Sequence, residues 1–249
     1  MRIGIAGITG RMGSMLADQI RALGETVTGG IDRTGRGPIS DITALAAISD
    51  VVMDFTDARA TQGHAVAMQA AGKPWVIGTS GLSDLDEAAL TAAASKIPVV
   101  YSSNFAPGAA LVLALAERMA AALPMESYDA EIVEMHHRQK VDAPSGTAIG
   151  MGRAVARGRG QDFNAVMDVG RNGHTGPRVT GNIGFAALRG GQVVGEHTLI
   201  FAAGSEHIAL SHRAFDRAAF AEGAVLAARW IIGRPPGLYS MLDVLGVRI

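Results

Sequence analysis

The sequence predicts an α/β fold: an N-terminal doubly wound parallel sheet, followed by a second α+β domain with a mixed β-sheet. In the first hundred of 249 residues, short apolar runs alternate with segments that suit helices. Between residues 181 and 212, apolar runs follow one another without a helix-like segment between them. Alternation predicts parallel strands with crossover helices, and uninterrupted strands predict antiparallel or mixed pairing.

The first domain is expected to contain five strands and three helices. The strands cover residues 2–6, 26–31, 51–55, 74–77 and 98–101, and the helices cover residues 11–23, 58–71 and 84–95. The last two helical segments are rich in alanine and free of internal proline, as a regular helix requires.

The second domain is expected to begin with a helix over residues 109–123 and a strand over residues 128–135. Further strands are predicted at residues 183–188, 193–201 and 207–211, with hairpin turns at Gly190-Gly191 and Gly204-Ser205-Glu206. A final helix over residues 217–232 ends at Gly233, just before Pro235-Pro236.

The composition excludes several classes of function. A net charge of −1 argues against a nucleic-acid partner, which requires a basic face. The absence of cysteine excludes disulfides and thiolate zinc sites. Neither the glycine-interrupted N-terminus nor the apolar stretch 106–116 suits a secretory signal or a membrane span. A soluble, cytoplasmic protein without a membrane partner is therefore expected.

A glycine-rich loop joins the first strand to the first helix: Gly7-Ile8-Thr9-Gly10-Arg11-Met12-Gly13. The three glycines suit a tight turn, close approach of backbone amides to a pyrophosphate, and close packing of the helix on the sheet. Thr9 stands at the usual second glycine of this pattern. The position between strand and helix favours a Rossmann-like dinucleotide site over an ordinary turn.

Three more segments follow predicted strands and are candidates for the same cofactor site. The first segment is Asp32-Arg33. Asp32 suits a ribose 2′-hydroxyl and Arg33 suits a 2′-phosphate, so both NADH and NADPH stay open as cofactors. The alternative is that the pair is a solvated loop without a role in binding. The other segments are Gly78-Thr79-Ser80-Gly81 and Ser102-Ser103-Asn104-Phe105. Ligands of open α/β sheets bind outside the carboxyl ends of the strands, where these segments are predicted.

The densest group of reactive side chains lies between Glu134 and Ala148. His136, His137 and Lys140 offer proton donors and positive charge. Pro144-Ser145-Gly146-Thr147 suits a helix start with proline in the first turn, whose amides would hold a carboxylate. Adjacent histidines lack the usual ligand spacing, so no metal site is expected.

The same segment resembles the E-x-H-H-x-x-K-x-D-A-P-S-G-T-A signature of the 4-hydroxy-tetrahydrodipicolinate reductase family. The glycine loop is similar to the cofactor loop of that family. Other similar segments follow in the same order along the chain: Gly78-Thr79-Ser80-Gly81, Asn104-Phe105, Arg189-Gly190-Gly191, Gly195-Glu196-His197-Thr198 and Phe220-Ala221-Glu222-Gly223-Ala224. The resemblance covers essentially the whole chain.

The resemblance implies a reaction and residue roles. It implies NAD(P)H-dependent reduction of a small dicarboxylate with loss of water, on the diaminopimelate route to lysine. His136 and Lys140 take the catalytic positions. The implied substrate-binding residues are His137, Ser145, Gly146, Thr147 and Arg217. The implied cofactor-binding residues are Gly7, Ile8, Thr9, Gly10, Arg11, Met12, Asp32, Arg33, Gly78, Thr79, Ser80, Ser102, Ser103, Asn104 and Phe105.

The expected domains are a dinucleotide-binding domain over residues 1–106, onto which residues 217–249 fold back, and a substrate-binding and oligomerisation domain over residues 107–216. The resemblance also implies a homotetramer. No role is predicted for His64, His174, His207 or His212; His197 is expected to be structural, and Arg178 is left undecided.

Two alternatives to the reductase stay open. One is another two-domain NAD(P)-dependent dehydrogenase, acting on an amino acid or a sugar, and the other is a regulatory protein that binds NAD(P) without turnover. The paired histidines followed by Ser145-Gly146-Thr147 argue against the first, and the presence of both proton donors argues against the second.

Overall fold

The computed structural model describes residues 1–32 and 39–248, which divide into two compact units. The first consists of Met1–Pro107 and Ala218–Arg248, and the second of Gly108–Arg217. Each unit has its own sheet and its own hydrophobic core.

The strands of the described residues are β1 (Arg2–Ala6), β2 (Thr26–Ile31), β3 (Val51–Asp54), β4 (Trp75–Ile77), β5 (Pro98–Tyr101), β6 (Asp129–His136), β7 (Met167–Val169), β8 (Ile183–Arg189), β9 (Gly195–Ala202), β10 (His207–Ala214) and β11 (Gly237–Tyr239). The α-helices are α1 (Arg11–Ala22), α2 (Ile42–Ile48), α3 (Thr61–Ala71), α4 (Asp84–Ala94), α5 (Pro107–Ala122), α6 (Gly146–Gly158), α7 (Phe163–Val166), α8 (Ala218–Trp230) and α9 (Met241–Val244). A 3₁₀ turn, Ala58–Ala60, precedes α3. None of the helices formed by the described residues is long and apolar enough to cross a membrane.

The sheet of the first unit is parallel throughout, in the order β11-β5-β4-β3-β1-β2. From β1 the chain moves to β2 on one side and then to β3 on the other. The strand order therefore reverses between β1 and β3, which is where ligands bind in doubly wound sheets. The predicted doubly wound fold is confirmed.

The sheet of the second unit is mixed, in the order β10-β9-β6-β8-β7. β9 runs antiparallel to β6 and β10, whereas β8 runs parallel to β6 and β7. This confirms the predicted α+β domain with a mixed sheet. The predicted turn at residues 204–206 joins the antiparallel pair β9 and β10.

The predicted hairpin at Gly190-Gly191 is wrong. β8 and β9 are not neighbours, because β6 lies between them and pairs with both. The connection passes around the end of β6 and bonds to it there: Gly190 N–H donates to the carbonyl of His136 and His137 N–H to that of Val193. Local turn composition does not reveal which strand lies between two others, since that depends on pairing over about 50 residues.

Both cores lie between a sheet and its helices. In the first unit, α1 buries Leu16 and Ile20, and α8 packs on α1. In the second unit, Met151 and Val155 of α6 are fully buried together with Leu199 and other side chains of the mixed sheet.

Several short elements were not predicted. Helix α2 has only seven residues, too few for a clear period, although Asp41 caps it by accepting from Ala44 N–H. Strand β11 has three residues and adds to the edge of the sheet beside β5. The predicted third strand also ends one residue early, so that Phe55 lies in the following loop.

Candidate functional site

The glycine loop is a tight turn between β1 and α1. Gly7 has a φ of +89°, which favours glycine, and its N–H donates to the carbonyl of Ile31 at 2.8 Å. A Cβ on Gly13 would lie 2.6 Å from Cα of Ile8, so only glycine lets α1 start this close to the loop. The loop thus has the geometry that its sequence predicts.

Four loops of the first unit follow parallel strands and therefore lie together at the carboxyl ends of these strands. They are the glycine loop, Phe55-Thr56 after β3, residues 78–81 after β4, and residues 102–105 after β5. A cavity of about 260 Å³ opens there. Its lining residues are Met12, Phe55, Thr56, Gly78, Ser80, Ser103, Asn104, Phe105 and Phe220.

The structure brings only some of the predicted cofactor residues to this cavity. Met12, Gly78, Ser80, Ser103, Asn104 and Phe105 line it. The rest of the predicted set is not part of its lining: Gly7, Ile8, Thr9, Gly10, Arg11, Asp32, Thr79 and Ser102. Asp32 directly follows β2, and Arg33 lies outside the described residues.

Two features of these loops fit a dinucleotide. Gly10 is the N-cap of α1 but provides no side-chain hydrogen bond, whereas Ser83 caps α4 with its hydroxyl. The first amides of α1 are therefore left for an anion such as a phosphate. The Thr79 hydroxyl is buried and has no partner among the described residues, so a ligand group could satisfy it.

The second unit gathers its reactive side chains where β6 ends. His136 is the last residue of β6 and is 8% exposed. Its Nδ1 lies 2.7 Å from Oε2 of Glu134, which also accepts from Arg189 Nη1 at 2.8 Å. Burial alone would raise the pKa of Glu134, but hydrogen bonds from Arg189 and His136 and their positive charge outweigh it and lower that pKa.

His137 follows β6, so the strand ends between the two histidines. An ending there is what a shared site requires, since neighbouring side chains of a regular strand point to opposite faces. Nε2 of His137 lies 3.4 Å from Nη2 of Arg217. Two of the predicted substrate-binding residues are thus adjacent, 80 residues apart in the chain.

Ser145, Gly146 and Thr147 lie at the start of α6, as predicted, but Pro144 does not. Ser145 is the N-cap and its Oγ accepts from Ala148 N–H, so Pro144 precedes the helix and follows a cis peptide bond. Gly146 is the first helical residue, whose N–H has no acceptor within a helix. A Cβ on Gly146 would meet no atom within 4 Å, so the space beside it is open.

Ser145 also contacts His197. The two side chains are buried, and Ser145 Oγ lies 2.8 Å from His197 Nε2. The His197 ring makes an edge contact with that of His136, with centroids 5.0 Å apart. Burial, followed by the charge of His136, lowers the pKa of His197 to about 4, so this ring is neutral at pH 7.

Lys140 is held by a carboxylate. Its Nζ lies 2.8 Å from both oxygens of Asp142, and this hydrogen bond lowers the pKa of Asp142. The Asp142 side chain is 57% exposed, so the ion pair borders solvent. An anionic ligand could therefore replace Asp142 as the partner of the Lys140 ammonium group.

Both places contain residues for which the sequence predicted no role. Phe55, Thr56 and Phe220 line the cavity of the first unit, and the rule that selected the other strand-end loops would also have selected Phe55-Thr56. In the second unit Glu134, Arg189 and Asp142 received no role. Among the described residues, no group of three or more His, Asp or Glu side chains could hold a metal ion.

Comparisons with known proteins give one family for the whole chain. Residues 1–105 match the family model described as "Dihydrodipicolinate reductase, N-terminus", and residues 108–245 match "Dihydrodipicolinate reductase, C-terminus". A protein from Granulibacter bethesdensis named 4-hydroxy-tetrahydrodipicolinate reductase is 63% identical over all of this chain and 98% of its own. One of the same name from Acidiphilium cryptum is 59% identical over 99% of this chain and 98% of its own.

Solved structures show the same fold. The dipicolinate-bound dihydrodipicolinate reductase from Paenisporosarcina sp. TG-14 superposes with a TM-score of 0.79 at 24% identity, over 98% of both chains. A probable dehydrogenase from Thermotoga maritima superposes with a TM-score of 0.62 at 11% identity, over 98% of this chain and 92% of its own. Because the two family models together span nearly every residue, and relatives are 63% and 59% identical at full length, the chain belongs to the dihydrodipicolinate reductase family.

Proposed function

We propose that this protein is an NAD(P)H-dependent 4-hydroxy-tetrahydrodipicolinate reductase of the diaminopimelate route to lysine. 4-Hydroxy-tetrahydrodipicolinate, reduced nicotinamide dinucleotide and one proton give tetrahydrodipicolinate, oxidised dinucleotide and water. The observation that carries this proposal is full-length identity of 63% to a relative with that name. The dipicolinate in a structure with the same fold supports a small dicarboxylate as the ligand.

The second unit is proposed to bind the substrate, with its proton donors beside carboxylate-binding groups. Loss of water from the substrate gives a conjugated C=C–C=N system, and its reduction places electron density near the ring nitrogen and the α-carbon. His136 as proton donor, with Lys140 as the second donor, supplies the proton and stabilises that charge. Such general acid catalysis contributes on the order of 10²–10⁴-fold.

The two substrate carboxylates are proposed to bind at two places. The first is the start of α6, where the backbone N–H of Gly146 is proposed to bind one carboxylate, with Thr147 and Ser145 beside it. His137 and Arg217 form the other place, which is supported by their 3.4 Å contact. Two separate anion sites suit a dicarboxylate better than a ligand with a single charge.

The first unit is proposed to bind the dinucleotide. When bound, the reduced nicotinamide supplies a hydride. The glycine loop and the first amides of α1 hold the pyrophosphate, and Asp32 or Arg33 selects the ribose. The loops after β4 and β5, at Gly78, Thr79, Ser80, Ser102, Ser103, Asn104 and Phe105, together with Phe55-Thr56, contact the remaining groups. Both NADH and NADPH are proposed as cofactors.

We further propose a homotetrameric assembly in the cytoplasm, formed through the second unit. Strand β10 supports the assembly, because this eight-residue strand lies at the edge of its sheet and is mostly exposed. Such an edge has unpaired backbone groups that another chain can cover. Light scattering coupled to size-exclusion chromatography gives the mass of the assembly, and a mass of 25.7 kDa would contradict the proposal.

A coupled assay tests the function. Dihydrodipicolinate synthase produces the unstable substrate in the cuvette, and loss of reduced nicotinamide absorbance is followed with NADH and NADPH in separate runs. We expect loss of absorbance that depends on both enzymes. An amino-acid or sugar dehydrogenase would instead turn over only with its own substrate. A regulatory protein would bind the dinucleotide, as measured by quenching of its fluorescence, and consume none of it.

A further inference from the structure

Glu134 is the most extensively bonded carboxylate in the second unit's cluster of reactive side chains. It is 1% exposed, and each of its oxygens has two donors. Oε1 accepts from Arg189 Nη2 at 2.8 Å and from Ser145 N–H at 3.1 Å. Oε2 accepts from Arg189 Nη1 at 2.8 Å and lies 2.7 Å from His136 Nδ1.

These contacts determine which nitrogen of His136 carries a fixed proton. An ionised carboxylate only accepts hydrogen bonds, so a 2.7 Å contact requires a proton on Nδ1. Glu134 is ionised near neutral pH because the bidentate contact with Arg189 and the bond to His136 lower its pKa despite burial. Nε2 is therefore the nitrogen that can gain a proton and release it again.

Glu134 also connects the imidazole to the start of α6. The same carboxylate that binds Nδ1 of His136 accepts from the backbone N–H of Ser145, the N-cap of that helix. Arg189, paired with His136 across the strands, also donates to the carbonyl of Asp142 at 2.6 Å. One ion pair thus fixes the histidine, the connecting segment and the helix start relative to each other.

We infer that Glu134, held by Arg189, is a positioning residue that presents Nε2 of His136 for proton transfer. This inference deepens the proposed function and rests on it, because it assigns the orientation and tautomer of the proposed proton donor to a neighbouring carboxylate. In this role Glu134 acts on the reaction through His136 and the backbone of Ser145, both of which its carboxylate contacts. A buried carboxylate that only held the fold together would affect stability and leave proton transfer unchanged.

The variant Glu134→Gln separates the two roles, because it keeps the size of the side chain and removes its charge. The matched control is Glu131→Gln. Glu131 lies on the same strand and pairs with Arg171 and Arg178, and among the described residues its carboxylate forms no ion pair or hydrogen bond with His136. We expect kcat of E134Q to fall about 10²-fold, with substrate KM within about 3-fold, since a general acid contributes 10²–10⁴-fold. E131Q should keep kcat within about 2-fold while it too loses thermal stability.

Nitrogen-15 NMR of the imidazole gives a readout that does not depend on turnover. The wild-type spectrum should show His136 protonated at Nδ1, and E134Q should lose this preference because the amide can also donate. In a His136→Asn background, adding E134Q should lower kcat by less than about 2-fold. A protein that only loses stability would show neither the change of tautomer nor this non-additivity.

The outcomes distinguish this inference from the proposed function. If wild type reduces the substrate but E134Q matches E131Q in kcat and keeps the Nδ1 proton, the positioning role is overturned while the function stands. If wild type shows no turnover but the Nδ1 proton depends on Glu134, the function fails and the tautomer assignment survives. Should E134Q not fold, Arg189→Lys keeps the charge and loses the bidentate contact; an unchanged kcat in that folded variant would overturn the inference.

Discussion

Ser145 and His197 are joined by a hydrogen bond of 2.8 Å between Oγ and Nε2, although they are 52 residues apart. The bond links the N-cap of α6 to the third residue of β9. His197 is 4% exposed, and its Nδ1 has no partner among the described residues. A ring in this position adds to the stability of the protein only while it is neutral.

This burial predicts a loss of stability in mild acid. The pKa of His197 lies at about 4 in the folded chain, against an ordinary value of 6.5, chiefly through burial. Between pH 6.5 and about 4 the unfolded chain therefore binds more protons than the folded chain. As a result, the free energy of unfolding falls as pH decreases through this range. Between pH 7 and 5 we expect His197 to account for a loss of about 2 kcal/mol.

Urea unfolding at pH 7 and 5 measures this loss. His197→Gln removes the titrating group, so the variant should be about 2 kcal/mol less sensitive to acid than wild type, whatever its stability at pH 7. His207→Gln, at an exposed position, is the control and should retain the acid sensitivity of wild type. Equal losses in wild type and H197Q would show that His197 is not the group responsible.

Lys140→Ala is expected to abolish most turnover without unfolding the chain. The ammonium group is paired with a largely exposed carboxylate of Asp142, so the pair adds less than about 1 kcal/mol of stability. If Lys140 is the second proton donor, as proposed, its loss should lower kcat by about 10²–10⁴-fold, with binding of reduced dinucleotide nearly unchanged. Steady-state kinetics and a fluorescence titration measure the two quantities.

Arg157→Ala is the control for this variant. It removes an exposed ion pair with Glu117 in the same unit, 2.8 Å between the charged atoms. Its kcat should stay within about 2-fold of wild type, since exposed pairs contribute little. If K140A also kept kcat within a few-fold, the assigned role of Lys140 would be wrong.

Gly13→Ala should weaken binding of the dinucleotide. The added Cβ would lie 2.8 Å from the carbonyl carbon of Gly7, so either the loop or the start of α1 must shift. Overpacking of this kind costs about 1–3 kcal/mol. If the bound conformation of the loop bears this cost, Kd for reduced dinucleotide rises by about 5–150-fold. Fluorescence titration of the folded variant measures this change.

Gly63→Ala is the matched control, because a Cβ there meets no atom within 4 Å. Gly63 lies within α3, where alanine is favoured by about 1 kcal/mol. The control should therefore gain thermal stability and bind dinucleotide as wild type does. Equal affinities for G13A and G63A would contradict a phosphate-binding role for the glycine loop.

The contrast between these sites shows what the sequence could predict. The glycine loop and the segment from His136 to Thr147 are continuous in the chain, so spacing and residue type alone indicated them. The ion pair between Glu134 and Arg189 joins residues 55 apart, and only the parallel pairing of β6 with β8 brings them together. The turn composition at Gly190-Gly191 predicted a hairpin. That prediction is wrong because β6 lies between β8 and β9, and local composition does not depend on this long-range pairing.

Arg178 is a second residue whose role depends on contacts that are distant in the chain. The sequence left its role undecided, whereas the structure shows its partners. Its guanidinium donates to Glu131 and Asp129 at 2.8 Å, and to the carbonyls of Ala130 and Asn182. The side chain is 16% exposed. It therefore joins the start of β6 to the segment before β8, away from the proposed proton donors at the other end of β6.

Arg178→Met is expected to destabilise the second unit without altering catalysis. Arg178 is largely buried whereas its carboxylate partners are partly exposed, so its removal leaves carboxylates and carbonyls without a donor at a cost of about 1–3 kcal/mol. Arg213→Met is the control, because Arg213 and Glu196 are exposed and 3.6 Å apart, and it should cost less than about 1 kcal/mol. Urea midpoints measure both losses. The kcat per folded molecule of each variant should stay within about 2-fold of that of wild type. A loss of kcat in R178M alone would instead give Arg178 a part in the reaction.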